Sequence, residues 1–266
     1  MLTQDQQQAW ADDGFFIVRA HTDQAICTEI SDEAVSAIRN DPPTNHPGAS
    51  HYMIGPILVG LESQPDMAGK NPEDLISKLF NSHLEGAAGA YALRDDVTTL
   101  VAGALKVEDI DVFQSQFIFK NPGAWGQPWH QDSHYFPYDK QPHVGVWLAL
   151  TEATLANGCL AVVPGSHKQR ILDHGPDRRA GANYGYLEID QADFAADRAT
   201  PVLMDAGDLL IFNSNLVHRS FDNGADSARQ AMVYHYGETG AKLTIDDPGS
   251  LSVVNHWLPA RRKKDN

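Results

Sequence analysis

Residues 129–134, Trp129-His130-Gln131-Asp132-Ser133-His134, carry the side chains best suited to chemistry: an imidazole and a carboxylate one residue apart, at His130 and Asp132. On an extended strand alternate side chains share a face, so these two can meet one metal ion. A second histidine from elsewhere would complete a set of two imidazoles and one carboxylate. Such a set leaves three octahedral positions open and suits non-haem Fe(II). His218 is the candidate third member. Each signal is ambiguous alone. Among 12 histidines and 35 acidic residues a His-x-Asp pair also fits a solvated strand end, and His218 also fits a packed core histidine.

Arg229 stands eleven residues past His218, beyond the turn Asp222-Asn223-Gly224-Ala225-Asp226, and is expected on the next strand. Inside a barrel an arginine needs a partner, and its planar fork matches a carboxylate in bidentate fashion. A dicarboxylate bound to the metal at one end would offer its other end to Arg229. Ser220, two residues after His218 and so on its face, could donate a hydroxyl to the same group. Taken singly, Arg229 fits a surface salt bridge as well.

These residues need a scaffold, and the chain changes character along its length. Thr3 with Gln6 makes a capping box for a first helix that Gly14 ends, and Phe15-Phe16-Ile17-Val18 reads as a strand. Thr22 or Asp23 opens a second helix, with Ile26, Ile30, Val35 and Ile38 near one face. A third is expected from Pro72, where Leu75, Ile76, Leu79, Phe80 and Leu84 follow the helical period, and another over Asp95 to Leu105. From Ile110 onward come short runs set apart by Gly, Pro and Asn: 112–120, 144–150, 160–163, 201–204, 209–212 and 230–236. Many short strands with turn signals point to a sandwich or jelly-roll barrel in which inward residues from different strands converge on a site. The expected class is mainly β with flanking helices. One domain is expected over 1–266, with 1–108 mainly helical support, 109–240 the jelly-roll core and 241–266 a C-terminal extension. Residues 165–200, with little regular patterning and with Gly165, Pro176, Gly181 and Gly185, read as a lid or binding loop.

Composition limits the partners. The chain carries 20 basic and 35 acidic residues, a net charge of −15, which repels nucleic acid and anionic membrane surfaces. The compact basic run Arg261-Arg262-Lys263-Lys264 reads as a solvated tail. Cys27 and Cys159 form no CxxC and fit reduced thiols, Cys159 as a small core hydrophobe. The N-terminus has no basic and apolar signal segment, and no run nears the roughly 18 apolar residues of a membrane span, so the expected location is cytoplasmic.

Several stretches in order, His130 to Pro137, Trp147, Asn157-Gly158-Cys159-Leu160, Pro164-Gly165-Ser166-His167-Lys168, His218 and Arg229, together resemble the phytanoyl-CoA dioxygenase family, as does the opening from Gln7 to Val18 with Asp13-Gly14-Phe15. The resemblance implies a double-stranded β-helix enzyme using Fe(II), 2-oxoglutarate and O₂ to hydroxylate an unactivated C–H bond of a small organic molecule, with release of succinate and CO₂. It implies His130, Asp132 and His218 as iron ligands, and Arg229 and Ser220 as holders of the distal carboxylate of 2-oxoglutarate. Gln116 and Trp147 match positions that line the co-substrate pocket. Halogenating relatives replace the ligand carboxylate with a small residue, so Asp132 argues for hydroxylation.

His134 and Tyr135 are candidates to face the substrate. A CoA thioester would want a basic entrance, for which Lys168, Arg170, Arg178 and Arg179 are the available residues. Two other readings stay open: a 2-oxoglutarate-binding sensor or scaffold without turnover, and a cupin-like metalloenzyme that does not use 2-oxoglutarate.

Overall fold

The computed structural model describes residues 1–62, 71–179 and 186–263. In chain order it contains α1 (Gln4–Asp12), β1 (Phe15–Val18), α2 (Gln24–Asn40), β2 (His51–Ile54), β3 (Ile57–Leu61), β4 (Ile76–Phe80), α3 (Gly86–Ala92), α4 (Asp95–Leu105) and β5 (Ile110–Lys120). Then follow α5 (Asp132–Tyr135), β6 (Val144–Ala149), β7 (Leu160–Val162), β8 (His174–Pro176), β9 (Leu187–Ile189), β10 (Thr200–Val202), β11 (Leu209–Asn213), β12 (His218–Ser220), β13 (Arg229–Glu238), α6 (Leu251–Val254) and β14 (Leu258–Arg261).

A nine-stranded sheet runs β1-β11-β6-β13-β5-β4-β3-β2, with β14 also paired to β5, and a three-stranded sheet runs β10-β7-β12. The strand period of two decides what each face of the large sheet buries. Along β13, Met232, Tyr234 and Tyr236 enter one core with the helices, while Ala231 and Val233 enter the core shared with the small sheet. The same split separates Leu209 and Ile211 from Leu210 and Phe212, and Val146 and Leu148 from Trp147 and Ala149. The helical layer is bolted on by polar contacts too: Tyr234 and Tyr236 donate their hydroxyls to the Ala88 and Ala92 carbonyls of α3. The result is the expected jelly-roll arrangement, drawn as two facing sheets rather than a closed ring.

The Thr3–Gln6 capping box starts α1, and Gly14, at φ +85°, turns the chain into β1. The helix expected from Pro72 is corrected. Pro72–Leu75 is a single 3-10 turn, Ile76–Phe80 is strand β4 between β3 and β5, and Ser82–Leu84 is another turn after Asn81 at φ +67°. A short apolar run fits either period, and here the open edges of β3 and β5 take it as a strand. The basic C-terminal run is corrected as well: Arg261 pairs with Asp95 and Arg262 with Asp111, so the chain's own carboxylates hold both, while Lys264 lies outside the described residues. Of the expected lid, Gly181 and Gly185 also lie outside them.

Candidate metal centre

His130 and His218 form an isolated antiparallel bridge, each backbone N–H donating to the other's carbonyl, at 2.9 and 3.0 Å. That bridge brings two residues 88 positions apart side by side, with ring centroids 4.1 Å apart. Asp132 does not continue a strand. Gln131 is extended (φ −121°, ψ 130°) and Asp132 opens the single turn α5, so one extended residue keeps His130 and Asp132 on a common side. The Asp132 Oδ1 lies 3.5 Å from His130 Nε2 and 3.7 Å from His218 Nε2. One ligand atom from each of the three falls within 4.8 Å of the others, and all three residues are buried.

The tautomers suit a cation. His130 Nδ1 sits 2.7 Å from the Pro128 carbonyl and His218 Nδ1 2.9 Å from that of Leu216. A ring nitrogen beside a carbonyl carries the proton, so the Nε2 lone pairs of both rings face the Asp132 oxygen. Burial, reinforced by the neighbouring His130, lowers His218 to about 4, which keeps it neutral. Burial pushes the Asp132 carboxyl up, but the imidazoles of His218 and His235 outweigh it and hold the acid well below its usual range. Two imidazoles with Nε2 turned to the gap and one carboxylate fit a divalent transition ion.

The same cleft, which opens to solvent, is lined by the three candidate ligands and by Gln116, Trp147, Ser220 and Arg229. Arg229 is 1% exposed. Its Nη2 donates to the Gly158 carbonyl at 3.1 Å, while Nε and Nη1 have no partner. Its guanidinium carbon lies 5.2 Å from the centroid of the Trp147 ring, over one face. Burial lowers it to about 10, so it remains charged. Gln116 faces Val233 across the β5–β13 ladder and donates from Nε2 to Gln114 Oε1 at 3.1 Å. Every residue expected to form the metal and co-substrate site thus meets in one cleft.

His134 and Tyr135 do not line this cleft but follow Asp132 beside it, where they meet residues 174 and 187. His134 stacks on His174 at 3.9 Å, and the Tyr135 hydroxyl accepts from the Leu187 N–H at 3.2 Å. Between His130 and Asp132, Gln131 clasps the same segment: its Oε1 accepts from Leu172 N–H, and its own N–H donates to His174 Nε2. Leu172, His174 and Leu187 are thus hydrogen-bonded to the segment that carries His130 and Asp132.

Two site residues were not foreseen. His235 Nε2 lies 2.9 Å from Asp132 Oδ2, and its Nδ1 lies 2.8 Å from Gln114 Oε1. Lys120 points its ammonium at Ser220 Oγ from 3.0 Å. Strand parity was the available signal: His235 is six residues past Arg229, and Lys120 four past Gln116, even spacings that put each on the face of its partner.

The sequence profile of the family described as Phytanoyl-CoA dioxygenase (PhyH) matches residues 10–231. "Phytanoyl-CoA dioxygenase" of Arabidopsis thaliana is 36% identical over 141 residues, which is 51% of this chain and 48% of that protein. The chain thus matches about half the length of such curated relatives. Among solved structures, "non-heme monooxygenase; ThoJ apo" superposes with a TM-score of 0.70 at 22% identity, covering 98% of this chain and 85% of the other. EvdO2 from Micromonospora carbonacea var. aurantiaca, complexed with 2-oxoglutarate, does so with a TM-score of 0.64 at 17% identity, covering 96% and 97%. These two show the shared fold.

Proposed function

The chain belongs to the phytanoyl-CoA dioxygenase family, and from that membership we propose that it is an Fe(II)- and 2-oxoglutarate-dependent oxygenase that hydroxylates a small organic molecule. The observation that carries the reading is Arg229: a buried guanidinium with two unpartnered donor nitrogens, in the same cleft as the His130, Asp132 and His218 cluster. A buried charge without a partner is costly, and a ligand carboxylate is what would offset it.

In this reading His130, Asp132 and His218 hold the iron. Arg229 and Ser220 take the distal carboxylate of 2-oxoglutarate, and Gln116 and Trp147 wall its carbon chain. Iron with the 2-oxo acid supplies the oxidation, consuming O₂ and releasing succinate and CO₂. The protein contributes position: the bridge fixes both imidazoles, the turn at α5 fixes the carboxylate, and the clasped lid excludes water. His134 and Tyr135 border the substrate's space, and residues 1–266 act as one catalytic domain.

The charges favour a substrate other than a CoA thioester. The four basic residues that could have formed such an entrance each face a carboxylate: Lys168 and Asp12 at 3.7 Å, Arg170 and Asp173 at 3.9 Å, Arg178 and Asp190 at 2.8 Å, Arg179 and Asp177 at 2.6 Å. No free cation among these four remains for a polyphosphate.

Anaerobic titration with Fe(II) and then 2-oxoglutarate tests the reading. The expected result is the weak visible charge-transfer absorption of a 2-oxo acid chelated to ferrous iron, absent in Asp132→Ala, and succinate release that depends on substrate. Bound iron without that absorption would overturn it.

A further inference from the structure

Lys120 and Arg229 are direct partners in the β5–β13 ladder, and only 4% and 1% of their surfaces are exposed. Like charges placed opposite each other destabilise a ladder, and burial sharpens the cost. Neither forms an ion pair among the described residues. A like-charged pair at the floor of a cleft is an arrangement that an anion would relieve.

The ammonium itself is fully engaged. Its Nζ donates to Ser220 Oγ at 3.0 Å, to the Phe221 carbonyl at 2.7 Å and to the Trp125 carbonyl at 3.4 Å, which uses all three protons. Ser220 Oγ also accepts from the Gln127 N–H at 2.9 Å. A hydroxyl oxygen has two acceptor sites, and both are now filled. What remains to Ser220 is its own proton, free to donate into the cleft that it lines with Arg229.

We propose that Lys120 is a positioning residue for the dicarboxylate co-substrate: it orients the Ser220 hydroxyl as a donor to the distal carboxylate and sets a second positive charge beside Arg229. The inference rests on the reading that a 2-oxo dicarboxylic acid binds in this cleft. Gly158 is part of the device. At φ +86° it turns its carbonyl onto Arg229 Nη2, and a Cβ there would lie 2.5 Å from Lys120 Cδ, so only glycine admits both side chains. Burial, with Arg229 next, holds the Lys120 ammonium well below its ordinary range, and an anion bound beside both groups would raise it again.

The test compares 2-oxoglutarate with pyruvate, which shares the chelating 2-oxo acid end and lacks the distal carboxylate. Both are titrated anaerobically into the Fe(II)-loaded protein and followed by the charge-transfer absorption, in wild type, Lys120→Met, Ser220→Ala and the double variant. Lys120→Met is expected to weaken 2-oxoglutarate about tenfold or more, the scale of a lost charge-assisted hydrogen bond. Pyruvate affinity and the position of the absorption should not change, and Ser220→Ala should add little in the Lys120→Met background. Wild-type affinity for 2-oxoglutarate in Lys120→Met would overturn the proposal, as would equal loss of both acids, since that marks a collapsed cleft. Lys120→Gln, which keeps a donor for Ser220 without the charge, gives the same comparison where the Met variant does not fold. Wild type that binds pyruvate and 2-oxoglutarate equally would instead refute the co-substrate reading.

Discussion

His235 Nε2 lies 2.9 Å from Asp132 Oδ2, on the side of the carboxylate away from His130 and His218, which approach Oδ1. This contact fixes which oxygen of Asp132 faces the metal gap, and Gln114 fixes the ring from behind. Groups that orient a ligand in this way commonly change metal affinity 10–100-fold when removed. His235→Phe is therefore expected to weaken Fe(II) binding by about one to two orders of magnitude while the fold is kept. The ring's neighbours Phe113 and Phe136, with centroids 6.1 and 4.7 Å away, accept a phenyl group. Competition with a chromogenic chelator reads the affinity, and unchanged binding would assign His235 to packing alone.

Arg229 separates stability from function. Replacing it with Met removes an uncompensated buried charge and keeps most of the volume, so the ligand-free protein should unfold at an equal or higher temperature. Binding of 2-oxoglutarate should weaken by about 2–5 kcal/mol, the usual loss when one side of a buried charged contact is deleted. Thermal unfolding with and without 2-oxoglutarate measures both. Wild type should gain stability from the ligand and Arg229→Met should not.

Legibility followed the physics of each residue. His130, Asp132, His218, Arg229 and Ser220 could be named because the His-x-Asp spacing and the even spacing of Ser220 from His218 suggest shared faces, and because the ordered motifs resemble one family. His235 and Lys120 were missed because their work is done through a neighbour: nothing in the types of residues 120 or 235 says that Ser220 or Asp132 stands opposite. The pairing of His130 with His218 required the bridge between the first residue of β12 and a residue that lies outside any regular strand. Ile76–Phe80 was misread for a different reason, since five residues with apolar positions at Ile76, Leu79 and Phe80 satisfy a helical period, and only the edges of β3 and β5 decide between the two.

Acid should weaken the fold through two buried histidines that are not candidate metal ligands. His83 is buried between Ser115 Oγ at 2.8 Å and the His256 carbonyl at 2.9 Å, and His143 is buried among the rings of Phe113, Phe136 and Tyr138. Burial lowers each to about 4, against about 6.5 in the unfolded chain. The unfolded state therefore takes up protons first. Stability is complete above about pH 6.5 and falls as pH drops toward 4, by roughly 3 kcal/mol for each group. Urea unfolding of the metal-free protein at pH 7.5 and 4.5 tests this. His143→Phe, placed among Phe113, Phe136 and Tyr138, should lose less stability between the two pH values than wild type, and an identical loss would exclude His143 as a source.

Gly158 ties the local backbone to the charge arrangement above it. Its φ of +86° is a region that side chains rarely adopt, and a Cβ would also meet the Phe221 carbonyl oxygen at 2.7 Å, a backbone atom that cannot swing aside. Gly158→Ala is thus expected to cost about 1–3 kcal/mol of stability from strain. Relief would come from moving the 158 carbonyl away from Arg229 or pushing the Lys120 stem toward Ser220, and either motion disturbs the carboxylate-binding end of the cleft. The metal end should be spared, since His130, Asp132 and His218 are held by their own bridge and turn. The expected signature in Gly158→Ala is weaker 2-oxoglutarate binding at unchanged Fe(II) affinity. If both fell together, the two ends of the cleft would be one cooperative unit, and the separate roles assigned to Arg229 and to the His-Asp-His cluster would have to be merged.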